Sequence, residues 1–198
     1  MRGGRQRAER TRTESLRHVS AESDREERSE VERRLLSMIV SNQPGVLSRV
    51  AGLFTRRGYN IDSLTVSTTQ DPEASRITVV VTADECMLEQ VVKQVEKLID
   101  VRVVTVLDTE PVTRREVALL KVKNAAGHAL MDAVNAAHAA VVDVGAATLT
   151  VEYVGDIDEV DAFVGLLSHF GIVEMARTGL VALSRGDGRL TDKAALYD

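Results

Sequence analysis

Residues 34–42, RLLSMIVSN, crowd apolar and β-branched side chains into one short run that reads as a strand. The period then changes. Val46, Leu47, Val50, Leu53 and Phe54 fall at i, i+1, i+4, i+7 and i+8, one face of a helix, with Arg49, Arg56 and Arg57 off that face. Asn42 and Pro44 supply helix-start chemistry, and Gly58 the usual stop. Residues 59–69, YNIDSLTVSTT, alternate as a half-buried strand through Ile61, Leu64 and Val66. A turn at QDPEAS leads to a second strand, RITVVVTA, and so to a hairpin. Asp84 and Glu85 open a second helix with Met87, Leu88, Val91, Val92, Val95, Leu98 and Ile99 on its face, and VRVVTVLDT closes the unit as a strand. The order is β-α-β-β-α-β.

Pro111 lies in a short linker, and the order repeats. REVALLKVKN is a strand, and AAGHALMDAVNAAHA a weaker, Ala-rich helix facing inward through Leu130, Val134 and Ala137. AVVDVGA and ATLTVEYVG follow as strands. DIDEVDAFVGLLSHF is a helix through Val160, Phe163, Leu167 and Phe170, and GIVEMARTGLVALS one final strand. The fold class is therefore α+β: two tandem ferredoxin-like units, each an antiparallel sheet with two helices on one face. The bare face of the first sheet is apolar enough to be expected against a second copy or another domain.

Composition narrows the function. The chain of 198 residues is 44% hydrophobic and 28% charged, as an ordinary globular protein is. A formal charge of −5, with no Trp and only three Phe and three Tyr, gives no reason to expect a nucleic-acid partner. The single Cys86 forbids an internal disulfide, suits a reducing cytoplasm, and reads as a small half-buried residue near a helix start. No apolar run is long enough for a membrane span. Residues 1–31 are Arg-rich, then acidic, with almost no apolar periodicity. They are expected to be disordered, and match neither a transit peptide nor a secretory signal.

The candidate chemistry lies at NQPG, residues 42–45. A helix starting there points unpaired N–H groups and a positive dipole end into the loop, and Gly45 has no Cβ to keep an anion away. Asn42 and Asn60 carry amides that both donate and accept, which suits the carboxylate and ammonium of a free amino acid. Val46, Leu47 and Ile61 would wall an aliphatic side chain. On composition alone the simpler account is favoured, a plain helix start with two turn-capping Asn residues.

The wording of the chain adds to this. RRLLSMIVSNQPGVLSRVAGLFTRRGYNIDSLTV, DPEASRITVVV, LEQVVKQVEKLIDV, TRREVALLKV, VVDV, LTVEYVG and GIVEMARTGLVALSRGD occur in order over residues 33–187. The first of these resembles the amino-acid-binding ACT domain, and the set resembles the small regulatory subunits of acetolactate synthase. The resemblance implies an ACT domain over 34–110, a second ferredoxin-like domain over 111–185 and a flexible tail over 186–198. It implies a catalytic large subunit as partner, carrying thiamine diphosphate, Mg2+ and FAD, and a homodimer through the ACT domains. It further implies feedback inhibition by valine (or leucine or isoleucine) at Asn42, Gly45, Val46, Leu47, Asn60 and Ile61, where paired domains meet. One segment departs: the helix after Gly127 is Ala-rich, about a turn shorter than in that family, and lacks the basic and aromatic residues expected there.

Three other readings compete with this one. Gly186-Asp187-Gly188 is similar to the start of a thiamine-diphosphate metal motif, but the rest of that motif has no room before the end of the sequence, and the four His have no metal spacing. An RNA-recognition module needs aromatics on its central strands, and RLLSMIV and RITVVV have none. A free-standing ACT sensor acting on another target stays open as the alternative.

Overall fold

The computed structural model describes residues 31–108, 111–123 and 127–192. Strand β1 (Glu32–Ser41) has six consecutive buried residues, Leu35 to Val40. Such an unbroken run belongs to a central strand covered on both faces, and β1 is central. With β2 (Ile61–Thr68), β3 (Ala74–Ala83) and β4 (Val101–Val106) it forms an antiparallel sheet of order β2-β3-β1-β4. Helices α1 (Val46–Arg57) and α2 (Glu85–Val95) are amphipathic and share one core with this sheet. Leu36, Met38 and Val40 of β1 lie there with Val50, Phe54, Val91 and Val95. Asp84 caps α2, accepting from Met87 N at 2.7 Å. Ile99, expected on the inner face of α2, is 97% exposed because the helix ends at Val95 and the chain turns before β4. Cys86 is exposed rather than half-buried.

The second unit repeats the plan. Strands β5 (Val112–Lys123), β6 (Ala140–Val144), β7 (Thr148–Gly155) and β8 (Ile172–Arg177) order as β6-β7-β5-β8. Helices α3 (His128–Ala136) and α4 (Ile157–Ser168) bury Leu130, Val134, Val160, Phe163 and Leu167 against Leu120, Val122 and Val151, and Tyr153 stacks on Phe163. A capping box of Asp156 and Glu159 starts α4. With only nine residues, α3 leaves all five residues of β6 exposed.

The expected single last strand is two. Between β8 and β9 (Val181–Ser184) the chain breaks at Thr178–Leu180, where Gly179 has φ 78°. Both pieces pair with β5, β8 along its second half and β9 along its first. The break carries the second unit onto the first. Leu180 N donates to Ser63 Oγ at 3.1 Å, and Thr65 Oγ1 donates to Thr178 O at 3.3 Å.

So the helix-free face of the first sheet is covered by the second unit of the same chain. Leu35, Val80 and Leu107 pack with Leu180, Ala182, Val112 and Ile157. Leu190 also joins Ile39, Ala74 and Val103. Part of the expected tail thus lies against the sheet, because a Leu offered an apolar face is buried rather than left in water; residues 193–198, and residues 1–30 of the expected extension, lie outside the described residues.

A polar chain crosses the same joint. Arg177 reaches buried Glu116 with two nitrogens, at 3.0 and 2.6 Å, and Asp161 at 2.7 Å, while Arg33 of β1 meets Asp161 at 2.9 Å. Burial opposes ionisation of Asp161, but the hydrogen bonds from Arg177 and Arg33 outweigh it and hold its carboxyl below the ordinary range.

Two outcomes are expected from this joint. A Cβ on residue 179 would stand 2.7 Å from both the Ser63 and Thr65 hydroxyls, at a φ that side chains avoid. Gly179→Ala should therefore lower stability by about 1–3 kcal/mol in thermal or urea denaturation, and an unchanged midpoint would mean this approach is not made. The folded pKa of Asp161 is depressed, so its contribution is present above the unfolded carboxylate value of about 4 and is lost as pH falls through the folded value. The stability gap between the wild type and Asp161→Asn, followed by denaturation against pH, should be widest near neutrality and close in acid.

Candidate functional site

The turn between β1 and α1 is held from two sides. Ser41 N donates to Asp100 O and Asn42 N to Glu73 O, each at 2.8 Å. Asn42 does not cap the helix. Its Nδ2 donates to Pro72 O at 2.9 Å, which leaves its side-chain carbonyl as an acceptor. The N-cap is Gly45, at φ 86°, with no side-chain hydrogen bond. Pro44 accordingly sits before the helix rather than in its first turn.

Of the first N–H groups of α1, that of Val46 meets Gln43 O at 3.4 Å and that of Arg49 meets Gly45 O at 3.0 Å. Those of Leu47 and Ser48 have no acceptor among the described residues. Arg49 adds positive charge: its Nη1 stands 3.3 Å from where a Cβ on residue 45 would be. Its Nε binds Asp100 Oδ2 at 2.6 Å, and that hydrogen bond raises its pKa, though desolvation acts against it. The spacing Gly45-x-x-x-Arg49 places this guanidinium one turn from the helix start, a signal present in the sequence and assigned there only to the outer helix face. Opposite, Arg102 pairs with Asp71 at 3.0 Å; Asp71 is held below the ordinary carboxylate range by the Glu73 N–H and then by Arg102.

The six expected site residues fall into two groups. Asn42, Gly45, Val46 and Leu47 gather at the turn. Val46 is 2% exposed and anchors α1 to the core, whereas Leu47, expected on the inner face, is 42% exposed beside the turn. Asn60 and half-buried Ile61 lie at the opposite end of α1, a twelve-residue helix, about 18 Å away. Asn60 Nδ2 donates to Asp62 Oδ1 at 2.9 Å. Within one chain, then, the start of β2 is adjacent to the end of the helix and not to its beginning.

Residues 36–103 match the family described as AHAS small subunit-like ACT domain, and residues 115–186 the family described as small subunit of acetolactate synthase. The chain belongs to the acetolactate synthase small-subunit family. An acetolactate synthase small subunit of Mycobacterium bovis is 46% identical over 153 residues, covering 76% of this chain and 91% of that one. The isozyme 3 small subunit of Salmonella typhimurium is 43% identical over 159 residues, covering 78% and 97%. The crystal structure of the Thermotoga maritima small subunit superposes with a TM-score of 0.72 at 36% identity, covering 80% of this chain and all of that one. As a small subunit in this family the chain is regulatory, and catalysis belongs to the large subunit. Among the described residues no cluster of three His, Cys, Asp or Glu could hold a metal, and no helix is long and apolar enough to cross a membrane.

Proposed function

We propose that this chain activates the large subunit of acetolactate synthase, which carries thiamine diphosphate, Mg2+ and FAD, and makes that enzyme sensitive to valine. The effector lies between paired ACT domains. Its carboxylate meets the N–H groups of Leu47 and Ser48 beside Gly45, and its ammonium meets the side-chain carbonyl of Asn42. Leu47 and the partner copy's Ile61 wall the isopropyl group, and the partner copy's Asn60 closes the site. A helix start of this kind favours an anion by about 0.3–1 kcal/mol when exposed and about 2 when partly buried.

The observation that carries this reading is the position of β2. It is the edge strand of its sheet, with an open ladder and Val66 41% exposed. Two copies pairing β2 antiparallel about a two-fold axis bring the Ile61 end of one strand beside the Thr68 end of the other. Thr68 pairs with Ser75, and Ser41 with neighbouring Ala74, so the Thr68 end shares an edge of the sheet with the β1–α1 turn. That pairing joins the two groups of residues that one chain keeps apart.

Regulation then rests on linked equilibria. Valine must bind the inhibited arrangement more tightly than the active one, typically by about 1–3 kcal/mol of coupling. Equal affinity for both would regulate nothing.

With the catalytic subunit reconstituted, Gly45→Asp is expected to abolish valine inhibition of acetolactate formation while leaving activation largely intact. The new carboxylate would face the ligand's own, and full valine inhibition in the variant would remove the turn from the site. Asn60→Ala should weaken valine binding by about 1.5–3 kcal/mol in calorimetry, the cost of a hydrogen bond to a charged group; wild-type affinity would exclude Asn60. Val66→Lys, a charge on the open edge, should convert a sedimenting dimer to a monomer of unchanged circular dichroism. A dimer that persists would place the pairing elsewhere.

A further inference from the structure

Beyond β9 the chain is anchored to the first sheet through one side chain. Every residue from Arg185 to Asp192 is exposed except Leu190, which keeps 6% of its surface. Leu190 packs on Ile39, Ala74 and Val103, a small cluster apart from the two main cores. Beside it the segment and the sheet leave a cleft of about 600 Å3. Among the described residues, the hydrogen bonds of residues 186–192 stay within the segment: Arg189 N donates to Asp192 Oδ2 at 2.9 Å, and Asp192 N to Arg189 O at 3.2 Å. Gly186, at φ 86°, and Gly188 have nothing within 4 Å of where a Cβ would stand. One buried leucine, set against the entropy of ordering the segment around it, makes a seat that opens more readily than the sheet beneath it.

The residues under Leu190 adjoin the groups that fix the β1–α1 turn. Ala74 pairs with Ser41, at the end of β1 that runs into the turn. Pro72 and Glu73, just before Ala74, hold Asn42: Pro72 O accepts from its side chain at 2.9 Å and Glu73 O from its backbone at 2.8 Å. Arg102, next to Val103 on β4, donates to the same Glu73 O at 3.0 Å. Two contacts of Leu190, Ala74 and Val103, thus lie one residue from the carbonyl that sets Asn42 and from the guanidinium that shares it.

Resting on the valine reading of that turn, we propose that residues 185–192 form a strap that tunes the effector site, with Leu190 as its positioning residue. Seated, Leu190 holds Ala74 and Val103 in place, and with them the Glu73 carbonyl that fixes Asn42. Lifted, it frees this corner of the sheet and the turn loosens. Valine binds the ordered turn, so seating of the strap and binding of the effector favour each other.

The test is amide exchange and calorimetry on the full chain, with Leu190→Ala, Leu190→Val and Leu190→Met, and with Thr191→Ala, an exposed neighbour, as control. Without valine, the amides of Asn42 and Ala74 should exchange at least about tenfold faster in Leu190→Ala, less so in Leu190→Val, and near the wild-type rate in Leu190→Met. The amide of Val91, in α2, should not change. The Kd for valine should rise at least about threefold in Leu190→Ala and return in Leu190→Met, and Thr191→Ala should match wild type throughout. Turn amides unaffected by Leu190→Ala, or an equal acceleration at Val91, would overturn the proposal, as would an unchanged Kd in a variant whose turn has loosened. A wild type that binds no valine would overturn the effector reading and the tuning with it, whereas exchange alone decides whether the strap holds the turn.

Discussion

A sheet with helices on one face leaves its other face to be covered by something else, and that need organises this molecule. In the first unit the uncovered side presents Leu35, Ile39, Val80 and Val103. The cover arrives from the end of the second unit, through Leu180, Ala182 and Leu190. Each Leu, Ile or Val side chain among these, fully buried, is worth about 1.5–3 kcal/mol, whereas exposed ion pairs contribute about 0–1 kcal/mol each. The apolar contact therefore holds the joint, and the polar chain through Arg33, Asp161, Arg177 and Glu116 orients it. Glu116 is the exception among these charges: at 3% exposure it depends on its paired hydrogen bonds to Arg177.

Much of this was legible in the residues. Apolar runs and periods of two and of about four locate the helices of both units and all the strands but the last pair, because strands and amphipathic helices each need their own spacing of apolar side chains. The break in the last strand was not legible. GIVEMARTGLVALS reads as continuous, since the reason for Gly179 is the approach of Ser63 and Thr65 from a distant part of the chain. Ile99 and Leu47 misled for a related cause. Both continue a helical period, but one lies past the end of its helix and the other at an end that the sheet does not cover.

The candidate site was legible as a list of residues and not as a place. Pro44-Gly45 announces a helix start, and Gly45 does take the left-handed conformation there. Local sequence does not say that Asn60 lies a full helix length away, because proximity in an α+β fold is set by strand order. The role of Asn42 also changed, from a helix cap to a clamp on Pro72. The spacing of Gly45 and Arg49 could be read locally, but that this guanidinium is held by Asp100 beside the helix start comes from tertiary packing alone.

Strand β5 pairs with β7 on one side and with both β8 and β9 on the other, and its first residues also touch the packing beneath the first sheet. One continuous extended segment is thus shared by the second sheet and by the seam between the units. The strand at the centre of the second sheet is therefore also part of the joint, so a substitution in the packing under the first sheet bears directly on the backbone that organises the second.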